Sequence, residues 1–83
     1  MLKKFIKDNN LKFSVGNRNS SAVILCGFAL YKEQNVNNCL EAIDGRSLTT
    51  DLQDEIERVF KYARINNYGD FWKTAKAKKE YVF

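Results

Sequence analysis

The feature that most restricts how this chain can fold is an apolar segment, residues 22–31, in a protein of only 83 residues. A domain of this size has a single small core and buries about 60 to 65% of the surface of its unfolded chain, so the segment must lie near the centre. Positions of both parities are apolar, which predicts a central β-strand covered on both faces. A buried helix is the alternative, because periodicity alone does not separate the two. Gly27 within the segment indicates a bulge or a closely approaching neighbour.

Shorter segments on either side of it have the pattern of neighbouring strands. Apolar and polar residues alternate over residues 11–15, and residues 16–20 have the Gly, Asn and Ser composition of a turn, which together predict a hairpin with residues 22–31. Residues 39–43 are interpreted as a third strand that stops at residues 44–45, with a short helix as the alternative.

Two helices flank the predicted strands. Leu2, Phe5 and Ile6 have the i, i+3, i+4 spacing of a short amphipathic helix that ends near Asn9 and Asn10. The second helix is predicted to begin at a capping box formed by Thr50 and Gln53 and to end at residues 66–69. Its apolar residues lie on one stripe that packs on the sheet: Leu52, Ile56, Val59, Phe60 and Ala63.

Residues 70–83 are predicted to form a last helix, with Phe71, Trp72 and Ala75 facing inward, followed by a short edge strand at residues 81–83. The predicted fold is therefore α+β: a three-stranded antiparallel meander with helices packed on it. No Pro, internal repeat or Gly/Ser linker interrupts the chain, so residues 1–83 are expected to form a single domain.

Charge is sorted into three blocks along the chain. Residues 1–20 contain five basic residues and one acidic residue. Residues 21–57 contain two basic and seven acidic residues, and residues 58–83 contain seven basic and two acidic residues. The acidic start and basic end of the second predicted helix complement the helix dipole, which accounts for Arg58 and Lys61, and the acidic residues are interpreted as a solvated face. The dipole does not account for four lysines within residues 73–79. If the two basic ends meet in space, they form a positive patch of the kind that binds a phosphate backbone.

The sequence therefore predicts a nucleic-acid-binding surface with Tyr68 or Trp72 available to stack on an unpaired base. Its predicted residues are Lys3, Lys4, Lys7, Lys12, Arg18, Arg64, Lys73, Lys76, Lys78, Lys79, Tyr68 and Trp72.

Catalysis is not expected. Histidine is absent, which excludes Ser-His-Asp triads, Cys-His dyads and His-dependent zinc sites within these residues. Cys26 and Cys39 have apolar neighbours and are interpreted as reduced core thiols, and the four glycines are too scattered for a phosphate-binding loop. We predict no catalytic residues, no metal and no cofactor.

The expected location is the cytoplasm. The longest apolar run is far shorter than the roughly 20 residues that cross a bilayer, and residues 1–10 lack the apolar region of a secretory signal. We therefore predict a soluble protein with no membrane partner.

Two resemblances bear on the function. The predicted order of helix, three strands and helix is similar to a double-stranded-RNA-binding domain, and residues 73–79 are similar in composition to the basic helix start of that family. In this chain that position is occupied by residues 50–55, three of which are acidic. The short, Pro-free chain, rich in Asn, Lys, Phe, Ile and Tyr, resembles the small proteins that tailed phages direct against bacterial defences, such as anti-CRISPR proteins and inhibitors of toxin–antitoxin toxins. Acidic DNA mimics occur among these proteins, whereas this chain is basic.

The second resemblance implies a phage protein that acts on a host target. Together with the charge pattern, it predicts a non-enzymatic, RNA-associated inhibitor of a bacterial defence component such as a toxin ribonuclease. The alternative is an inhibitor or adaptor, in the manner of an anti-CRISPR protein, that binds its partner protein without nucleic acid.

Overall fold

The computed structural model describes all 83 residues, and every regular element in it is a helix. Helices account for 67% of the residues and no strand is present. In chain order the elements are α1 (Leu2–Asp8), α2 (Arg18–Tyr31), α3 (Val36–Ala42), α4 (Thr50–Ile65), a 3₁₀ helix (Tyr68–Lys73) and α5 (Ala75–Glu80). None of these helices is both long enough and apolar enough to span a membrane.

The predicted meander is therefore wrong, and the α+β class with it. Residues 11–15 lie in a loop and turn, residues 22–31 are the body of α2, and residues 39–43 are the end of α3 and its C-cap. Residues 81–83 form no edge strand. The similarity to a double-stranded-RNA-binding domain depended on that sheet, so it does not extend to the fold.

Helix α2 is the centre of the molecule and packs against α4 and the 3₁₀ helix, with further contacts to α1 and α3. Four of its residues are fully buried and have helical i, i+3, i+4, i+7 spacing: Ala22, Leu25, Cys26 and Ala29. Val23 and Ile24 lie between them and are half-buried, so the apolar residues cover most of the helix circumference. The close approach expected at Gly27 is present, because a Cβ there would lie 3.0 Å from Nε1 of Trp72.

The amphipathic stripe of α4 has the predicted position. Leu52, Ile56, Val59 and Ala63 are buried, and Phe60 is half-buried at the edge of the stripe. The helix is capped one residue earlier than predicted, since Oγ1 of Thr49 accepts a hydrogen bond from the Leu52 amide at 3.2 Å. It ends at Asn66 and Asn67, and Asn67 adopts the left-handed conformation with φ of 57°.

An aromatic cluster joins the two ends of the chain to α2. The rings of Phe5 and Phe28 stack with centroids 3.8 Å apart, and the Trp72 ring meets both of them edge-on. Phe83 packs against Phe28, Tyr31 and Trp72 with centroid distances of 5.4 to 6.1 Å. Trp72 therefore faces inward, as predicted for residues 70–83, and is not available for the stacking that was also predicted, whereas Ala77 rather than Ala75 faces inward from α5.

Candidate nucleic-acid interface

The two basic ends of the chain are held together. The Asn9 side chain donates to the Val82 carbonyl at 2.8 Å and accepts from the Val82 amide at 2.7 Å. Asn9 directly follows α1 and Val82 lies just beyond α5, so these two hydrogen bonds connect the first basic block to the last. Lys7 and Lys79 lie two and three residues before these joined positions.

Most cations predicted to bind nucleic acid are exposed. Three of them pair with neighbouring carboxylates: Lys4 with Asp8 at 2.8 Å, Lys73 with Asp70 at 3.3 Å and Lys76 with Glu80 at 4.0 Å. Exposed pairs of this kind contribute about 0 to 1 kcal/mol and are easily exchanged for a phosphate. The six without a carboxylate within 4.0 Å are Lys3, Lys7, Lys12, Arg64, Lys78 and Lys79.

Arg18 has a structural partner instead. Its Nε lies 2.9 Å from Oε1 of Glu55, and Nδ2 of Asn19 donates to Oε2 of the same carboxylate at 3.1 Å. The Glu55 side chain is only 9% exposed and that of Arg18 34%. The interpretation of Glu55 as part of a solvated acidic face was wrong, and Arg18 is engaged in neutralising it rather than open to a phosphate.

The two aromatic residues predicted to stack on a base differ in accessibility. Trp72 is 2% exposed and enclosed by the aromatic cluster, so it offers no face to a ligand. Tyr68 is half-buried, and its ring meets that of Tyr62 edge-on with centroids 5.7 Å apart. Partial desolvation and, to a lesser degree, a hydrogen bond with Tyr62 raise the pKa of the Tyr68 hydroxyl.

A groove that the sequence did not predict lies between α2, α4 and the 3₁₀ helix. We call it the tyrosine groove; it has a volume of about 340 Å³ and is lined by Asn19, Val23, Arg58, Val59, Tyr62 and Tyr68. Val23 and Tyr68 also line an adjoining groove of about 310 Å³ that reaches Phe71 and Tyr81. The sequence feature that could have indicated this groove is Tyr62, a large aromatic residue outside the apolar stripe of α4. Its side chain is 57% exposed.

A third groove, of about 300 Å³, lies where the chain ends meet. Lys4 and Lys32 stand at its border, and Phe5, Phe28 and Phe83 are among its lining residues. The Lys32 ammonium lies 5.3 Å from the centroid of the Tyr31 ring, a distance typical of a cation–π contact. The basic block at the N-terminus is thus extended by a lysine from the end of α2.

The two thiols are inaccessible. Cys26 and Cys39 are buried and unbridged, and the Cys26 Sγ lies 3.8 Å from the Ile56 carbonyl. A hydrogen bond with Cys39 and, to a lesser degree, burial raise the pKa of Cys26, so the reactive thiolate is disfavoured. No three His, Cys, Asp or Glu side chains lie close enough together to hold a metal ion.

No protein-family model, curated protein sequence or solved structure matches this chain. Its side chains and their arrangement are therefore the basis for assigning a function.

Proposed function

We propose that this protein binds the phosphate backbone of RNA in the cytoplasm and, without catalysing a reaction, inhibits a component of a bacterial defence system such as a toxin ribonuclease. The observation that supports the RNA-binding part is the pair of hydrogen bonds between Asn9 and Val82, because these two residues belong to the N-terminal and C-terminal ends that carry the basic blocks. The resemblance to phage anti-defence proteins supplies the class of target.

The charges on these blocks favour a polyanion. Six exposed cations of the predicted set have no carboxylate partner, and three more hold only surface pairs that a phosphate can replace. Clustered lysines bind phosphates through release of condensed counterions, which requires no particular base sequence. A nucleic-acid phosphate backbone is therefore the class of ligand whose chemistry suits this surface.

A stoichiometric role is favoured by the state of the groups that catalysis would use. The Cys26 thiol is buried with a raised pKa, and the buried carboxylate of Glu55 is neutralised by Arg18. A protein of this kind acts by occupying its target, so we expect inhibition to saturate at a fixed molar ratio.

The first half of α4 suggests how a protein target is contacted. Asp51, Asp54 and Glu57 are exposed there and have no cation within 4.0 Å. A ribonuclease needs a basic surface to hold its own RNA substrate, and complementary charge steers association. In the proposed assembly the basic ends hold RNA while this acidic surface faces the target.

The salt dependence of RNA affinity tests the binding. With six unpaired cations contacting phosphates and a slope near −0.7 per contact, log K against log salt should have a slope of about −4 for a single strand. Lys7→Glu and Lys79→Glu, one from each end, should each make the slope shallower by at least one contact. Arg46→Glu makes the same charge change at a 94% exposed side chain in the loop before α4 and should leave the slope unchanged. A flat salt response of the wild-type protein contradicts RNA binding.

Size-exclusion chromatography of the inhibited complex tests the role of RNA in inhibition. The proposed complex should dissociate after nuclease treatment, whereas a complex that survives treatment indicates the alternative, an inhibitor that binds its partner protein without nucleic acid. Cleavage of RNA by the isolated protein contradicts both.

A further inference from the structure

We infer that the tyrosine groove binds one unpaired nucleobase that carries an exocyclic amino group, so that the RNA held by this protein is single-stranded. This inference rests on the proposed function, because phosphate contacts at the chain ends must bring the strand to the surface. It assigns a role to Arg58, Tyr62 and Asn19, none of which belonged to the predicted site.

The shape and lining of the groove suit a planar ring. Its volume of about 340 Å³ lies within the range of small-molecule sites, and its walls combine apolar surface from Val23 and Val59 with two tyrosine rings. The rings of Tyr62 and Tyr68 are nearly perpendicular, at 82°, so they do not stack on each other. Tyr62 is 57% exposed and has ring surface available for a base.

Two polar groups border this aromatic surface. Arg58 has no carboxylate within 4.0 Å, so its guanidinium is available to a phosphate or to a base acceptor. Asn19 already donates through Nδ2 to Glu55, which leaves its Oδ1 as an acceptor beside the groove. An acceptor recognises the exocyclic amino groups of adenine, cytosine and guanine, whereas uracil has none. The groove should therefore prefer any of these three bases to uracil.

The charges beside the groove and its position next to a second groove indicate a nucleic acid rather than an apolar peptide as the ligand. Arg58 lines the groove and Lys61 lies three residues further along α4, and neither has a carboxylate partner. Glu55 is neutralised by Arg18, so Asp54 and Glu57 are the exposed carboxylates nearest to Arg58 in the sequence. The groove shares Val23 and Tyr68 with the one that reaches Tyr81, the residue before the hydrogen-bonded Val82. In the proposed complex a strand held at the chain ends follows these two grooves to Tyr62.

Fluorescence anisotropy with labelled oligonucleotides tests the inference. The probes are single strands of about 12 adenosines or 12 uridines, and a mixed-sequence duplex of the same length. We expect oligo(A) to bind more tightly than oligo(U) and than the duplex. Tyr62→Leu, which removes the ring at an exposed position, should weaken oligo(A) binding about 5- to 100-fold and leave duplex binding unchanged. Tyr62→Phe keeps the ring and should bind oligo(A) like the wild type.

The outcomes distinguish failure of the base site from failure of RNA binding. If all probes bind with a steep salt dependence but Tyr62→Leu binds oligo(A) normally, the base site is overturned and backbone binding stands. If no probe binds, both fail. If Tyr62→Leu abolishes inhibition of the target while oligo(A) binding is intact, the groove is a protein contact and the inference is overturned. Arg58→Gln, also at an exposed position, provides a second variant should Tyr62→Leu melt early, and it should weaken oligo(A) binding severalfold.

Discussion

Replacement of Gly27 by Ala tests the packing of the 3₁₀ helix on α2. In an open helix this change stabilises by about 1 kcal/mol, because Ala has the higher helix propensity. Here the new methyl would lie 3.0 Å from Nε1 of Trp72 and 3.3 Å from the Tyr68 carbonyl oxygen. The carbonyl is backbone and Trp72 is fixed by the aromatic cluster, so neither can move aside cheaply.

Overpacking of this kind costs about 1 to 3 kcal/mol, which exceeds the gain in propensity. After subtraction of the propensity gain, we expect Gly27→Ala to be less stable than the wild type by up to about 2 kcal/mol and to melt up to about 15 °C lower. Urea denaturation followed by circular dichroism and by the fluorescence of the single tryptophan measures this directly.

Gly45→Ala is the matched control, since no atom lies within 4 Å of a Cβ at that position. It should remain within about 0.5 kcal/mol of the wild type. A Gly27→Ala protein as stable as the control, or more stable than the wild type, would refute the close packing on which the reasoning depends.

Three further predictions concern the core. Ile56→Ala, at a fully buried position facing α2, should lower the free energy of unfolding by about 2 to 5 kcal/mol, and a melting temperature within a few degrees of the wild type would contradict the packing of α4. Arg18→Met should cost about 1 to 3 kcal/mol because it leaves the Glu55 carboxylate buried without its cation, and adding Glu55→Gln should recover most of the loss; no recovery in the double variant argues against the ion pair. The raised pKa of Cys26 contributes stability that is complete below the ordinary thiol pKa of 9.0 and declines as the pH rises above it. Urea midpoints measured between pH 7 and 10.5 should therefore fall less steeply for Cys26→Ala than for the wild type, and equal slopes exclude the effect.

The aromatic residues illustrate what a one-dimensional pattern leaves open about the site. Four lysines beside an aromatic residue suggested that Trp72 was available for stacking, yet Trp72 is enclosed by Phe5 and Phe28, which come from other helices. Tyr62 received no role because it lies off the buried stripe of α4, and it is the ring that remains exposed. Accessibility depends on neighbours that are distant in sequence, so it could not be predicted from the segment itself.

The sequence by itself determined the elements whose apolar residues occupy one face. Helices α1 and α4 were predicted with nearly correct bounds, because i, i+3, i+4 spacing and the Asn-rich ends specify where each helix begins and ends. Whether the two chain ends meet could not be predicted from the sequence; in the structure Asn9 and Val82 are hydrogen-bonded to each other.

Only the tertiary structure decided that residues 22–31 form a helix. The buried stripe of α2 has helical spacing, but Val23 and Ile24 outside the stripe are also apolar. The helix therefore lacks the polar face from which a period of about 3.6 residues could have been recognised in the sequence. Both residues line the grooves between α2 and the 3₁₀ helix, and Val23 belongs to the tyrosine groove. A segment that is apolar at every position is compatible with a buried strand and with a buried helix, so its secondary structure depends on which neighbouring elements cover it.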